Sequence, residues 1–258
     1  MAELFHHSFE SDLSEVAGFS ATNGTVGQSS GAALNATAGG VLFTRSANSP
    51  NLYLYDNFSL TTQTTIRTAW YTDLSALTIG TDNHDTTLMR VFVVGVQITA
   101  LVVVRRVSGS LKFRLYLYND SNVSTIVTVD YGLPLWLELR VNKASGVGVP
   151  DASAQLYAGG GDFAALGEQI AEATGVSLFT RFAQQSRALP GMHNAFVNSS
   201  SVGGSLKFDE WTMRDDDTPI LFGVSSGIAG KTNRYIAAIR NSHMITKLKR
   251  GMTIGRRR

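Results

Sequence analysis

Residues 88–107 read LMRVFVVGVQITALVVVRRV, the most apolar stretch of the chain, and their reading decides the fold. A run of this length forms either a long buried helix or two strands. β-Branched side chains dominate it (Val91, Val93, Val94, Val96, Ile98, Thr99, Val102, Val103, Val104), and Gly95 with Gln97 interrupts its middle. The stretch is therefore two strands joined near residues 95–99. Ser108-Gly109-Ser110 predicts a hairpin turn into residues 111–118, where Leu111, Phe113, Leu115 and Leu117 alternate with Lys112, Arg114, Tyr116 and Tyr118.

Outward from this hairpin the same period of two recurs. Residues 41–45, 52–55, 135–141, 152–158 and 205–214 read as strands, bounded by turn signals such as Asp56-Asn57 and residues 146–151. Residues 58–71 place Leu60, Thr62, Thr64, Ile66, Thr68 and Trp70 on a buried face and Thr61, Gln63, Thr65 and Arg67 on a wet one. Residues 163–174 predict a short helix, because Phe163, Leu166, Ile170 and Ala173 fall at helical spacing. Many short strands at regular spacing imply an all-β protein, an antiparallel β-sandwich of jelly-roll type with one short helix and an extended basic C-terminal arm.

Composition agrees with this. Charged residues are only 16% of the chain's 258, and Gly alone numbers 25, as suits a sheet protein with polar turns. There is no cysteine, which excludes a disulfide framework and a cysteine-ligated zinc site. No uninterrupted apolar run is long enough to span a bilayer, and residues 1–10 are too polar for a signal peptide, so neither a membrane nor classical secretion is expected. Six Asn-x-Ser/Thr triplets, beginning at Asn23, Asn35, Asn57, Asn119, Asn122 and Asn198, read as polar loops.

Charge is divided unevenly. Residues 231–258 hold nine basic residues and no acidic one, so the formal net charge of +2 leaves −7 on residues 1–230. Residues 1–219 are read as the sandwich and residues 220–258 as a Gly/Ser linker with a basic assembly arm. The arm's anchors are Tyr235, Ile236, Ile239, Ile245 and Leu248, interleaved with Arg240, Arg250, Arg256, Arg257 and Arg258. It lacks the aromatic interleaving of a single-strand binder, so nucleic acid is not the expected partner; another protein subunit is.

The strand order resembles the concanavalin A-like lectin/glucanase superfamily, in its broad laminin-G-like form, over about residues 1–217. The resemblance is carried by Leu4-Phe5-His6-His7-Ser8-Phe9-Glu10 at the start, by residues 59–71, by Trp136-Leu137-Glu138-Leu139-Arg140-Val141 with the later Gln155-Leu156-Tyr157, and by Leu206-Lys207-Phe208-Asp209-Glu210-Trp211-Thr212-Met213 at the close. It implies a sandwich and no particular activity, because this fold hosts lectins, hydrolases, adhesion modules and virus components.

Hydrolases of that superfamily place two carboxylates on one face of a strand, about 5 Å apart for a retaining mechanism. Asp209 and Glu210 are adjacent and so predicted to face opposite ways, and Glu138 stands alone between Trp136 and Arg140. No enzyme is therefore expected, with no cofactor and no catalytic residue, and a glycoside hydrolase ranks third among the readings. Asp82 with Asp85, and Asp215 with Asp217, are oxygen-rich candidates for Ca²⁺. His6-His7 on one strand cannot share a metal and reads as an exposed edge. Tyr53, Tyr55, Tyr116 and Tyr118 come in period-two pairs and are the candidate glycan contacts.

Such a sandwich with a basic arm looks like a structural virion protein of a tailed bacteriophage, a capsid decoration or a tail, baseplate or fibre component assembled in the host cytoplasm. Its expected partners are other virion proteins, further copies of itself and a host surface glycan. The alternative reading is a carbohydrate-binding adhesion module.

Overall fold

The computed structural model describes residues 3–34, 37–46, 51–60, 62–93, 97–117, 122–123, 127–128, 134–160, 163–183, 186–193 and 201–220. The chain divides into two units, Met1–Ile220 and Leu221–Arg258, and the first is the one described. The arm residues Tyr235, Ile236, Ile239, Arg240, Ile245, Leu248, Arg250, Arg256, Arg257 and Arg258 lie outside the described residues, as does Tyr118.

The strands in chain order are β1 (Glu3–His7), β2 (Gly18–Thr22), β3 (Gly24–Ser29), β4 (Gly40–Arg45), β5 (Asn51–Asn57) and β6 (Thr65–Asp73). They continue as β7 (Leu77–Ile79), β8 (Asp85–Val93), β9 (Gln97–Val107), β10 (Ser110–Leu117), β11 (Asn122–Val123) and β12 (Val127–Thr128). The last are β13 (Leu135–Asn142), β14 (Ala152–Gly160), β15 (Phe163–Val176), β16 (Arg187–His193) and β17 (Val202–Arg214). One sheet runs β15-β14-β13-β6-β17-β4-β3 with β1 and β7 also on β17, making nine strands; the other runs β11-β10-β9-β8-β16-β5-β2 with β12 on β10, making eight. All strand pairings among the described residues are antiparallel, and the two inner faces enclose Phe43, Leu54, Trp70, Met89, Phe113, Leu137, Phe208 and Trp211. The expected β-sandwich is present.

Residues 88–107 do form two strands. β9 and β10 join through Ser108 and Gly109, both at positive φ (53° and 80°), the geometry of a primed two-residue turn whose twist matches the strands.

Three expectations are corrected. Residues 163–174 are not a helix but part of β15, while the helix α1 is the five-residue Phe179–Ala183. Irregularities in the pairing of β14 with β15, and positive φ at Gly167 and Gly175, break the two-residue alternation, so buried positions recur at spacings that imitate a helix. The outer face of β6 is not wet: Arg67 is 6% exposed, because residues 215–220 lie across it. The run Asp215-Asp216-Asp217 belongs to this crossing segment. Asp217 accepts from Arg67 and Arg140 at 2.9 and 2.8 Å, and the Ile220 N–H donates to Glu138. His7 is likewise buried rather than on an exposed edge; it joins β1 of one sheet to Asp56 on β5 of the other at 2.6 Å. Among the described residues, no helix is long and apolar enough to cross a membrane.

Candidate functional site

On β5, Leu52 and Leu54 point into the core, so Tyr53 and Tyr55 stand on the outer face of the eight-stranded sheet. Alternation puts Leu101, Val103 and Arg105 of β9 and Lys112, Arg114 and Tyr116 of β10 on the same face, opposite Val102, Val104, Phe113 and Leu115 in the core. Leu101, Val103 and Tyr116 form an apolar cluster of their own there. Two irregularities bring in the remaining residues. On β8 the register slips between Thr87 and Met89, so Leu88, Met89 and Val91 face the core while Arg90 and Phe92 turn outward. On β16 it slips between Pro190 and His193, leaving Met192 in the core and His193 outside. Gly191 makes this possible, since a Cβ there would fall on the Leu52 carbonyl oxygen. Across the sheet Gly191 pairs with Tyr53, Arg90 with Leu189 and Leu101, and Leu101 with Tyr116.

His193 is 1% exposed. Its Nε2–H donates to the Leu189 carbonyl at 3.1 Å, and its Nδ1 is buried without a partner. Burial first, and the charge of Arg90 second, push its pKa down to about 3, so the imidazole is neutral. The Tyr53 ring stacks on it with centroids 5.2 Å apart and planes at 19°. Arg90 lies over the Phe92 ring at 4.9 Å, and its Nε is buried without a partner. Burial lowers its pKa, and only the Tyr53 hydroxyl acts in the opposite sense. Arg114 donates from Nη1 to the Tyr116 hydroxyl at 3.3 Å, and its Nε is also buried and unpartnered. Arg187 donates to Asn57 at 2.8 Å and covers the Tyr55 ring at 4.4 Å. None of these three arginines meets a carboxylate among the described residues, whereas Arg67, Arg105, Arg106, Arg140 and Arg214 each do.

Of the tyrosines expected to contact glycan, Tyr53, Tyr55 and Tyr116 share this face; Tyr53 and Tyr55 lie 6.4 Å apart, and Tyr116 lies across the sheet on β10. The candidate metal ligands are dispersed among other partners. Asp82 accepts from Arg106 and the Gly109 N–H, Asp85 from Arg105 at 2.9 Å, Asp215 from Gln63 at 2.8 Å and Asp217 from two arginines. No cluster of three or more His, Cys, Asp or Glu able to hold a metal occurs among the described residues. Glu138 does not stand alone but pairs with Arg67 in a site 1% exposed. Burial raises its pKa, and Arg67 opposes the rise. Arg90, Arg187 and His193 were not expected. The available signal was Arg90 itself, a charge inside the most apolar stretch of the chain.

The fold and this face define a class, an antiparallel β-sandwich with an arginine- and tyrosine-lined outer sheet surface. No protein-family model matches the chain, and no curated protein matches it in sequence. Solved structures do resemble it. A PL-14 alginate lyase from Aplysia kurodai superposes with a TM-score of 0.58 at 7% identity, over 84% of this chain and 100% of that one. The cellulose-induced protein Cip1 gives 0.52 at 13% identity, over 84% and 100%. The CBM2 module of the evolved Dit protein of Lactobacillus casei BL23 phage J-1 gives 0.48 at 11%, over 85% and 97%. Identities this low establish likeness of fold. They also overturn the expectation that the chain is no enzyme. That expectation rested on the missing hydrolase carboxylate pair, and an alginate lyase, which is not a hydrolase, is built on the same sandwich.

Proposed function

We propose that the protein engages carbohydrate on the outer face of the eight-stranded sheet. The observation that carries this reading is the half-buried pair Tyr53 and Tyr55, backed by the His193 ring and the Arg187 guanidinium. Rings held this way offer flat apolar surface for the C–H face of a sugar, with polar groups beside them for its hydroxyls. The likeness of fold to an alginate lyase supports the same reading. Affinity electrophoresis of the full chain against a panel of polysaccharides tests it. Replacing Tyr53 and Tyr55 together by Ala should weaken binding by about tenfold or more, in line with roughly 0.5–1.5 kcal/mol for each ring. A panel in which nothing is retarded, or a double variant that binds like the parent, would sink it. Incubating the retained polysaccharide with protein and following chain length shows whether binding is accompanied by cleavage.

A second reading places this carbohydrate-engaging body in a tailed-phage virion, as a decoration or a tail component. The laminin-G-like resemblance supports it, and so does the charge division, −7 on residues 1–230 against nine basic residues after them, which suits head-to-tail packing of copies or docking on another virion protein.

A further inference from the structure

Resting on the reading that this face takes carbohydrate, we infer that its ligand is an acidic saccharide, whose carboxylate or sulfate group docks against Arg90. A guanidinium taken out of water is costly unless an anion meets it. The body of this protein respects that rule at Arg67, Arg105, Arg140 and Arg214, each matched to a carboxylate. Arg90 breaks it: half-buried over the Phe92 ring, it meets no carboxylate among the described residues.

Arg114 and Arg187 on the same face also lack a carboxylate among the described residues, so a surface with unmatched cations sits on a segment, residues 1–230, whose formal charge is −7. Arg90 and Arg114 lie on β8 and β10, two strands apart and offset by two residues along them, so their Cα atoms are about 12 Å apart. A polymer bearing charge at intervals meets both, and a small anion meets one. The three arginines are recessed among Tyr53, Phe92 and Tyr116, which favours a ligand that stacks as it pairs over a nucleic-acid backbone.

Isothermal titration of the full chain decides the matter, with oligouronates, sulfated galactan oligosaccharides, an uncharged β-glucan oligosaccharide, inorganic phosphate and sulfate, and a single-stranded oligonucleotide. An acidic oligosaccharide should bind, and whether oligouronate or sulfated galactan binds more tightly names the anion. Arg90→Gln should weaken that binding roughly 30-fold or more, the range for removing one partner of a buried charge pair. Free Arg90→Gln should melt no lower than the parent, since an uncompensated charge has been removed. Arg114→Gln, a variant outside the most buried row, should weaken long oligosaccharides more than short ones. Equal binding of the uncharged glucan, indifferent to Arg90→Gln, would overturn the acidic ligand and leave the carbohydrate reading standing. Failure of every saccharide would overturn both. Inorganic anions binding as tightly as the sugars, or an oligonucleotide binding with the same dependence on Arg90, would overturn the saccharide assignment.

Discussion

Asp209 and Glu210 follow one another on β17, yet Phe208 and Trp211 on either side of them both face the core. Glu210 adopts a positive φ of 52° within a register slip, and the bulge holds the two carboxylates in each other's field instead of on opposite faces. Asp209 accepts from the Leu34 N–H, the Thr37 hydroxyl and the Glu210 N–H, and burial still lifts its pKa to about 6. Glu210 rises to about 7, first through burial and then through Asp209, Glu10 and Glu15, with His6 facing it at 3.5 Å. Both folded values lie above the ordinary ones, so the folded state holds protons that the unfolded chain releases. The contribution of Asp209 is therefore full below 3.8 and lost as pH rises through about 6, and that of Glu210 is full below 4.5 and lost as pH rises through about 7. Glu210→Gln removes the ionisation while keeping the shape. Urea unfolding should find the variant more stable than the parent by about 1–3 kcal/mol at pH 8 and indistinguishable at pH 4. A variant no more stable at pH 8 would mean that the site does not penalise the ionised carboxylate.

Elements were legible in the sequence wherever the two-residue period ran unbroken. β10, β13 and β14 show uninterrupted alternation, and Ser108-Gly109 announces its own turn. What escaped lies at irregularities, for a bulge reverses which face a residue takes. Unbroken alternation from Leu88 would set Arg90 beside it in the core; the slip between Thr87 and Met89 sends Arg90 to the outer face instead. The tyrosines of the candidate site were readable because β5 and β10 are regular, whereas Arg90 and His193 were not, because each follows a slip. The mistaken helix at β15 has the same origin. Gly191 is the point where this argument can be tested. Gly191→Ala would drive its Cβ into the Leu52 carbonyl and the Tyr53 Cα on β5, costing about 1–3 kcal/mol by overpacking. Because His193 and Tyr53 flank the strained contact, saccharide binding should fall by more than the tyrosine substitutions alone produce. Unchanged binding and melting together would show that β16 can relax without disturbing the site.

At the scale of the whole molecule, the two outer faces differ. The arginines that meet no carboxylate among the described residues stand on the eight-stranded sheet, while the last described residues cross the nine-stranded one, with Ile220 buried and its N–H on Glu138. The buried pair Arg67–Glu138 depends on this crossing segment for its cover, Asp217 above and Ile220 beside it. A boundary at residue 219 would remove Ile220, so the self-sufficient fragment should end one residue later. Residues 1–220 should unfold in urea like the full chain and keep saccharide affinity, yet lose incorporation into particles if the arm binds neighbouring subunits. Residues 1–214 should lose about 2–4 kcal/mol, from the apolar burial of Ile220 and the hydrogen bonds of Asp217 and Ile220 to Arg67, Arg140 and Glu138. Equal stability of the two fragments would show that residues 215–220 merely rest on the sheet, and a 1–220 fragment that still enters particles would remove the arm from assembly.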